Sequence, residues 1–144
     1  MSELTRRIIF AVIAAPASIA IVYFGDWALA ILLSVLAALA AWELFRIARE
    51  TGSYPIEPAG IGLAALVPIA IHAQRLGLYT LSLTVLVAIA LLLFASAIWL
   101  RGPQGKPLSS VAVTTFGVMY ASLFSYIYAL RYHDYAVGAA AGTV

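Results

Sequence analysis

The charged residues that follow the second apolar run are the first feature of this sequence with the chemistry of a functional site. In AAWELFRIARE, residues 40–50, the apolar run reaches Trp42 and is followed at once by Glu43 and Arg46. A charge at the centre of a membrane helix costs roughly 2.5–3.5 kcal/mol and less near the interface, so an acid placed there is a functional candidate. We therefore take Glu43 and Arg46 as interfacial candidate site residues.

The same residues also have a purely structural interpretation. Glu43 and Arg46 are three positions apart and Arg46 and Glu50 are four apart, so all three share one helical face. An ion pair there fixes the depth and rotation of the helix at the headgroup boundary, where aromatic residues such as Trp42 and Phe45 collect. The interfacial position favours this structural interpretation over a catalytic one.

Other patterns do not form a reactive site. The chain has no cysteine, which excludes disulfides and thiolate chemistry. His133 and Asp134 lack further ligands nearby, so we interpret them as polar surface rather than half of a metal site. GPQGKPLSS, residues 102–110, fails the P-loop pattern, since Lys106 is followed by proline rather than Ser or Thr. We predict no catalytic, cofactor-binding or metal-ligating residue in these 144 residues.

The composition indicates that the bilayer is the solvent of this chain. Hydrophobic residues make up 65% and charged residues 10%, whereas soluble domains are about half apolar and a quarter charged. No basic segment interleaves with aromatic residues as a nucleic-acid surface would require, so nucleic acid is excluded as a partner. Membrane lipids are the expected surroundings.

The uncharged stretches predict an all-α polytopic membrane protein with about five transmembrane helices and the start of a sixth. The predicted spans cover residues 8–25, 27–45, 60–74, 77–100 and 111–130, with a truncated span from residue 136. Gly25 and Asp26 predict a tight turn that makes the first two spans a hairpin. The 60–74 stretch is short and interrupted by Pro68, so whether it crosses the membrane stays open.

The two ends of the chain each allow two interpretations. Arg6 and Arg7 before an apolar run are typical of a signal peptide, but the run continues to Phe24 and a second follows, which favours a retained span. With the N-terminus in the cytoplasm, six of the eight Lys and Arg residues lie on the cytoplasmic side and two on the outer side. This ratio is the same whether or not residues 60–74 cross the membrane. The apolar run from residue 136 is shorter than the about 20 residues a span needs, which favours a fragment over a frayed tail.

Three stretches together resemble the N-terminal half of bacterial phosphatidate cytidylyltransferases (CDP-diacylglycerol synthases). They are LTRRIIFAVIAAP at 4–16, AAWELFRI at 40–47 and TTFGVMYASLFSYIYALRYH at 114–133. The resemblance implies a multi-pass inner-membrane enzyme of phospholipid biosynthesis, which joins CTP to phosphatidic acid with the help of Mg²⁺ and releases pyrophosphate. It also implies five crossings, because the catalytic loops of the family are cytoplasmic.

The acidic motifs of that family lie downstream of the position that corresponds to Val144. No catalytic residue is therefore carried over, no residue of this chain is expected to hold Mg²⁺, and the 144-residue chain alone is expected to be inactive. Whether it forms a homo-oligomer stays open. Two other classes remain as alternatives: a transporter fragment, which predicts more polar residues within the spans, and a non-enzymatic membrane scaffold.

Overall fold

The computed structural model describes residues 3–80 and 82–127. These residues form five α-helices and no strand: α1 (Glu3–Phe24), α2 (Asp26–Glu50), α3 (Glu57–Arg75), α4 (Leu83–Arg101) and α5 (Pro107–Ser122). Short 3-10 helices follow α4 at Pro103–Gly105 and α5 at Leu123–Ser125. The predicted all-α class is confirmed, and the truncated span from residue 136 lies outside the described residues.

Four segments of the described chain are long and apolar enough to cross a membrane. They are Arg7–Phe24, Asp26–Glu50, Leu83–Arg101 and Pro107–Ser125. The third helix, α3, is not among them, because it begins with Glu57, contains Pro68 and ends with polar residues up to Arg75. The chain is thus a membrane protein, and the five α-helices of its described part are compatible with the predicted number.

The connection between α1 and α2 is a single residue, Gly25. Its φ of 67° and ψ of −145° lie in a region that only glycine adopts without strain, and Asp26 follows with a φ of 54°. The predicted tight turn therefore lies at this point. The side chains of α1 stay largely exposed, and among the described elements α1 packs mainly against α2.

The fourth helix begins later than the predicted span of 77–100. The helix before it ends at Arg75, and Gly77 then adopts a φ of +70° that turns the chain out of the helix. The hydroxyl of Ser82 accepts a hydrogen bond of 3.2 Å from the backbone N–H of Thr84, which caps the start of α4 at Leu83. The uncharged stretch is therefore divided between a turn and a helix.

Phe45 is the centre of the core, which is formed by α2, α3 and α5. Its side chain is fully buried and lies against Gly60 of α3 and Gly117 of α5. Both glycines contact the ring so closely that an added Cβ would overlap it. The remaining core residues here are small: Ala37, Ala41, Ala64 and Ala121. Small residues let membrane helices approach closely, which is how this core gains its packing contacts.

The bundle has two distinct ends. We call one the basic end, because it carries Arg49 in the last turn of α2, Arg101 at the end of α4 and Lys106 just before α5. At the opposite end, Nε2 of the fully buried His72 lies 3.2 Å from Oδ1 of Asp26, and the Trp27 ring contacts His72 edge-on. These contacts join the end of α3 to the start of α2. The short third helix therefore reaches from one end of the bundle to the other.

Candidate functional site

The two residues predicted as interfacial candidates lie on the exposed face of the last turns of α2. Glu43 and Arg46 are both exposed, while Phe45 between them points into the core. The guanidinium of Arg46 lies 5.8 Å from the centroid of the Trp42 ring. The salt bridges of the described residues do not include a pair between Glu43 and Arg46. An exposed pair is worth only about 0.3–0.5 kcal/mol, so stacking on Trp42 competes with it easily.

The ion pair at this end of α2 is formed by a different residue. Nη1 of Arg49 lies 2.9 Å from Oε1 of Glu57, the first residue of α3. Between these two residues, α2 ends in a turn where Gly52 has a φ of +82°, which favours glycine. In that turn the N–H of Gly52 donates to Arg49 and the N–H of Ser53 donates to Ala48. This closed turn and the ion pair fix the connection between the two helices.

A half-open cavity of about 470 Å³ lies between this connection and the one from α4 to α5. The described residues that line it come from the two connections, from the last turn of α4 and from the first turn of α5: Gly52, Ser53, Tyr54, Leu100, Arg101, Gln104, Gly105, Lys106, Ser109 and Ser110. Two of these side chains are cationic and none is acidic. Neither Glu43 nor Arg46 is among them.

Arg101 is held in place by contacts with the neighbouring connection. Its Nη2 donates to the carbonyl of Tyr54 at 3.3 Å and to that of Pro55 at 3.5 Å, and its guanidinium lies 5.5 Å from the centroid of the Tyr54 ring. A Cβ added at Gly105 would lie 2.9 Å from Cβ of Arg101, so the loop packs on the stem of the arginine. Because these bonds use Nη2, the donors on Nε and Nη1 remain for a ligand.

Lys106 has an unusual backbone conformation at the start of α5. Its φ of 53° and ψ of 54° are left-handed, which costs roughly 1–2 kcal/mol for a residue with a Cβ. Pro107 occupies the first helical position, and the next two backbone N–H groups of α5 have no partner within the helix. The cavity therefore lies against a helix N-terminus, where the helix dipole favours a negative charge.

Thr114 holds the two connections in register. Its Oγ1 accepts a hydrogen bond of 2.8 Å from the backbone N–H of Ile56 and donates one of 2.7 Å to the carbonyl of Ser110. The side chain is fully buried. Through it, the segment before α3 is attached to α5 one turn below the cavity. This arrangement explains how loops that are far apart in sequence form one site.

The chemistry of this cavity is that of anion binding. Two cations, several hydroxyl groups and a helix N-terminus all favour a negatively charged group, and phosphate oxygens accept hydrogen bonds from each of them. The described residues contain no group of three or more His, Cys, Asp or Glu residues that could hold a metal ion. Acid–base chemistry is not apparent either, since the described lining has no carboxylate or imidazole.

The sequence did not predict this cavity, although the stretch that forms one side of it was considered as a phosphate loop. GPQGKPLSS lacks the P-loop spacing, and the structure shows a 3-10 turn and a helix start there instead. The available signal was two cations around a proline-initiated helix. The contribution of Tyr54 was not visible in the sequence, because it depends on the hydrogen bonds that join it to Arg101.

Two of the stretches that carry the family resemblance meet in the core. Phe45 belongs to AAWELFRI and Gly117 to TTFGVMY, and the ring of the first lies against the backbone of the second. The same C-terminal stretch begins with Thr114, which attaches the cavity connections to each other. In the described residues, these motifs therefore act in packing and positioning.

Comparison with known proteins agrees with this resemblance. The sequence profile of the cytidylyltransferase family matches residues 5–141, which is nearly the whole chain. No curated protein and no solved structure gives a significant match. The match spans all five helices, the packing contact of Phe45 and the cationic cavity. The chain belongs to the cytidylyltransferase family, whose members are CTP-utilising transferases.

Proposed function

We propose that this protein acts as a phosphatidate cytidylyltransferase, the enzyme that transfers the cytidylyl group of CTP to phosphatidic acid. In this reaction a phosphate oxygen of phosphatidic acid attacks the α-phosphorus of CTP. The bond between the α-phosphorus and the bridging oxygen breaks, and pyrophosphate leaves. The products are CDP-diacylglycerol and pyrophosphate.

The observation that carries this proposal is the family match over residues 5–141 of a membrane protein. A transferase built from apolar helices is suited to an acceptor that is itself a membrane lipid, because the lipid does not have to leave the bilayer. The family gives CTP as the donor, and the membrane-embedded fold favours phosphatidic acid over a water-soluble acceptor. The described residues would contribute binding and positioning, since they hold no acid–base pair.

The same proposal includes a location and an orientation. We place the protein in the bacterial inner membrane with its N-terminus in the cytoplasm and with five crossings. Support comes from α3, which reaches between the two ends of the bundle, and from the arginines and the lysine at the basic end. Cations of short loops favour the cytoplasmic side.

Mg²⁺ is also implied by the resemblance, and it supplies charge neutralisation for the phosphates of a nucleotide. The described residues do not fit a Mg²⁺ site, because no carboxylates converge there. No step of the proposal therefore depends on a metal held by these residues. Homo-oligomer formation is also only a prediction, and no step of the proposal depends on it.

The test uses the natural protein, purified in detergent and supplied with CTP, Mg²⁺ and phosphatidic acid. We expect CDP-diacylglycerol and pyrophosphate in equal amounts. A parallel reaction with a long-chain lipid alcohol as acceptor identifies a different transferase, since transfer of the γ-phosphate would release CDP instead. Formation of CDP without pyrophosphate, or no consumption of CTP with either acceptor, would refute the proposal.

A further inference from the structure

We propose that the cationic cavity at the basic end binds the phosphate monoester of an anionic lipid headgroup. This inference rests on the proposed function for the identity of the lipid, which would be phosphatidic acid. It assigns to Arg101 and Lys106 a binding role that is independent of the transfer chemistry.

The charge of the cavity is the first argument. Its described lining has two cationic side chains and no acidic one. Arg49, the nearby cation on α2, is already paired with Glu57 at 2.9 Å and does not line the cavity. Neither Arg101 nor Lys106 forms a salt bridge within the described part of the chain, so their positive charge is left for a ligand. A dianionic phosphate monoester matches two such cations better than a phosphodiester with a single charge.

The preorganisation of Arg101 is the second argument. One edge of the guanidinium donates hydrogen bonds to the carbonyls of Tyr54 and Pro55. The guanidinium also lies over the Tyr54 ring, and Gly105 packs on the aliphatic part of the Arg101 side chain. A fixed arginine loses less conformational entropy on binding than a free one, and its planar fork fits phosphate oxygens. The chain thus holds a donor group in place at the mouth of a cavity.

The position of the cavity at the ends of two apolar helices is the third argument, and it favours a lipid over a water-soluble ligand. The cavity lies where α4 ends and α5 begins, and both helices are long and apolar enough to span a membrane. Leu100 lines it, and the nearby residues Trp99 and Leu108 are exposed. An exposed tryptophan at a helix end is typical of the headgroup boundary. A volume of about 470 Å³ is within the range of small-molecule sites of about 300–1,000 Å³. A headgroup enters such a site from the membrane surface with its acyl chains still in the bilayer.

The experiment measures lipid binding without CTP, so that no turnover occurs. The natural protein is placed in nanodiscs of phosphatidylcholine that contain either phosphatidic acid or phosphatidylglycerol, and bound lipid is measured by native mass spectrometry. Arg101→Gln and Lys106→Gln each remove one charge. Gly105→Ala keeps every charge but displaces Arg101. Arg49→Gln is the matched control, since it removes a cation at the same end that does not line the cavity.

We expect phosphatidic acid to be retained in preference to phosphatidylglycerol. Arg101→Gln and Lys106→Gln should each weaken its binding by about tenfold, as for the loss of one charge-assisted hydrogen bond. Gly105→Ala should weaken it as well, and Arg49→Gln should leave it unchanged. Circular dichroism shows whether each variant is folded. If Arg101→Gln does not fold, the single variants Lys106→Gln and Gly105→Ala test the inference.

The other outcomes separate this inference from the proposed function. Equal binding of phosphatidic acid by all variants overturns the inference, even if the protein makes CDP-diacylglycerol. Binding that depends on Arg101 in a protein without transferase activity supports the cavity and overturns the function. A further arm titrates CTP and inorganic phosphate. If Arg101→Gln and Lys106→Gln lose the binding of CTP or inorganic phosphate but still bind phosphatidic acid, the assignment to a lipid headgroup is overturned.

Discussion

Replacing Gly60 with alanine tests the packing of Phe45 between α3 and α5. An added Cβ at Gly60 would lie 2.5 Å from Cζ and 2.6 Å from Cε2 of Phe45, and 3.0 Å from Cγ2 of Thr114. Carbon atoms in favourable contact are about 3.5–4.0 Å apart. Since Phe45 is fully buried, its ring has no open space into which to turn. We therefore expect an overpacking penalty of roughly 1–3 kcal/mol in the free energy of unfolding.

Gly62 supplies a matched control on the same helix. A Cβ added there meets nothing within 4 Å. Glycine to alanine raises helix propensity by about 1 kcal/mol at either position, so the difference between the two variants isolates the overlap with Phe45. We expect Gly60→Ala to be less stable than Gly62→Ala by roughly 1–3 kcal/mol. Unfolding of the purified protein in one detergent, followed by circular dichroism, measures this difference.

A rescue substitution makes the test specific for the ring. Phe45→Leu removes ring atoms that an alanine at position 60 would overlap, so it should reduce the penalty of Gly60→Ala even though it destabilises the parent protein. Double-mutant comparison gives this coupling directly. Equal unfolding of the Gly60 and Gly62 variants, or a penalty that Phe45→Leu does not reduce, would refute the packing argument.

Three further experiments test the other parts of the structure. Glu43→Gln in the natural enzyme should lower turnover by less than about tenfold, or roughly 1.4 kcal/mol of barrier, because Glu43 does not line the cavity; a larger loss in a folded variant would give it a functional role. Thr114→Val should lower the free energy of unfolding by roughly 1–3 kcal/mol, because it leaves a buried N–H without an acceptor, while the exposed neighbour Thr115→Val should have little effect; equal effects would contradict the assigned hydrogen bonds. Single cysteines at Ser53 and Gln74, on either side of α3 in a chain without native cysteine, should react with an impermeant thiol reagent from opposite sides of the membrane; labelling of both from one side would show that α3 does not cross.

The helices could be predicted from the sequence because charge and glycine mark their ends. The uncharged run before Arg101 indicated a helix, and Gly25 indicated the turn of the first hairpin. The start of α4 was predicted too early, since an uncharged stretch does not distinguish a turn after Gly77 from a helix capped by Ser82. The short third helix had the weakest pattern in the sequence. In the structure, Glu57 at its start contacts Arg49 and His72 near its end contacts Asp26, and these contacts place its ends at opposite ends of the bundle.

The cavity could not be predicted, because its parts come from connections that are distant in the sequence. Arg101 and Lys106 were visible as cations in a polar loop, but only the carbonyls of Tyr54 and Pro55 place the guanidinium at a cavity. Single-sequence patterns describe neighbours along a helix or a loop. They do not give the register between helices, and here the register decides which loops meet.

The packing of Phe45 and the position of the cavity are parts of one arrangement. The Phe45 ring lies against Gly60 and Gly117, and this sets how closely α2, α3 and α5 approach. Thr114 lies one helical turn from Gly117, and its hydroxyl accepts from the segment before α3 and donates to Ser110 at the cavity. We therefore expect a change at the core to displace the connections that hold Arg101. This gives a physical reason why stretches of the sequence that carry the family resemblance include a buried phenylalanine and a glycine, neither of which has reactive chemistry.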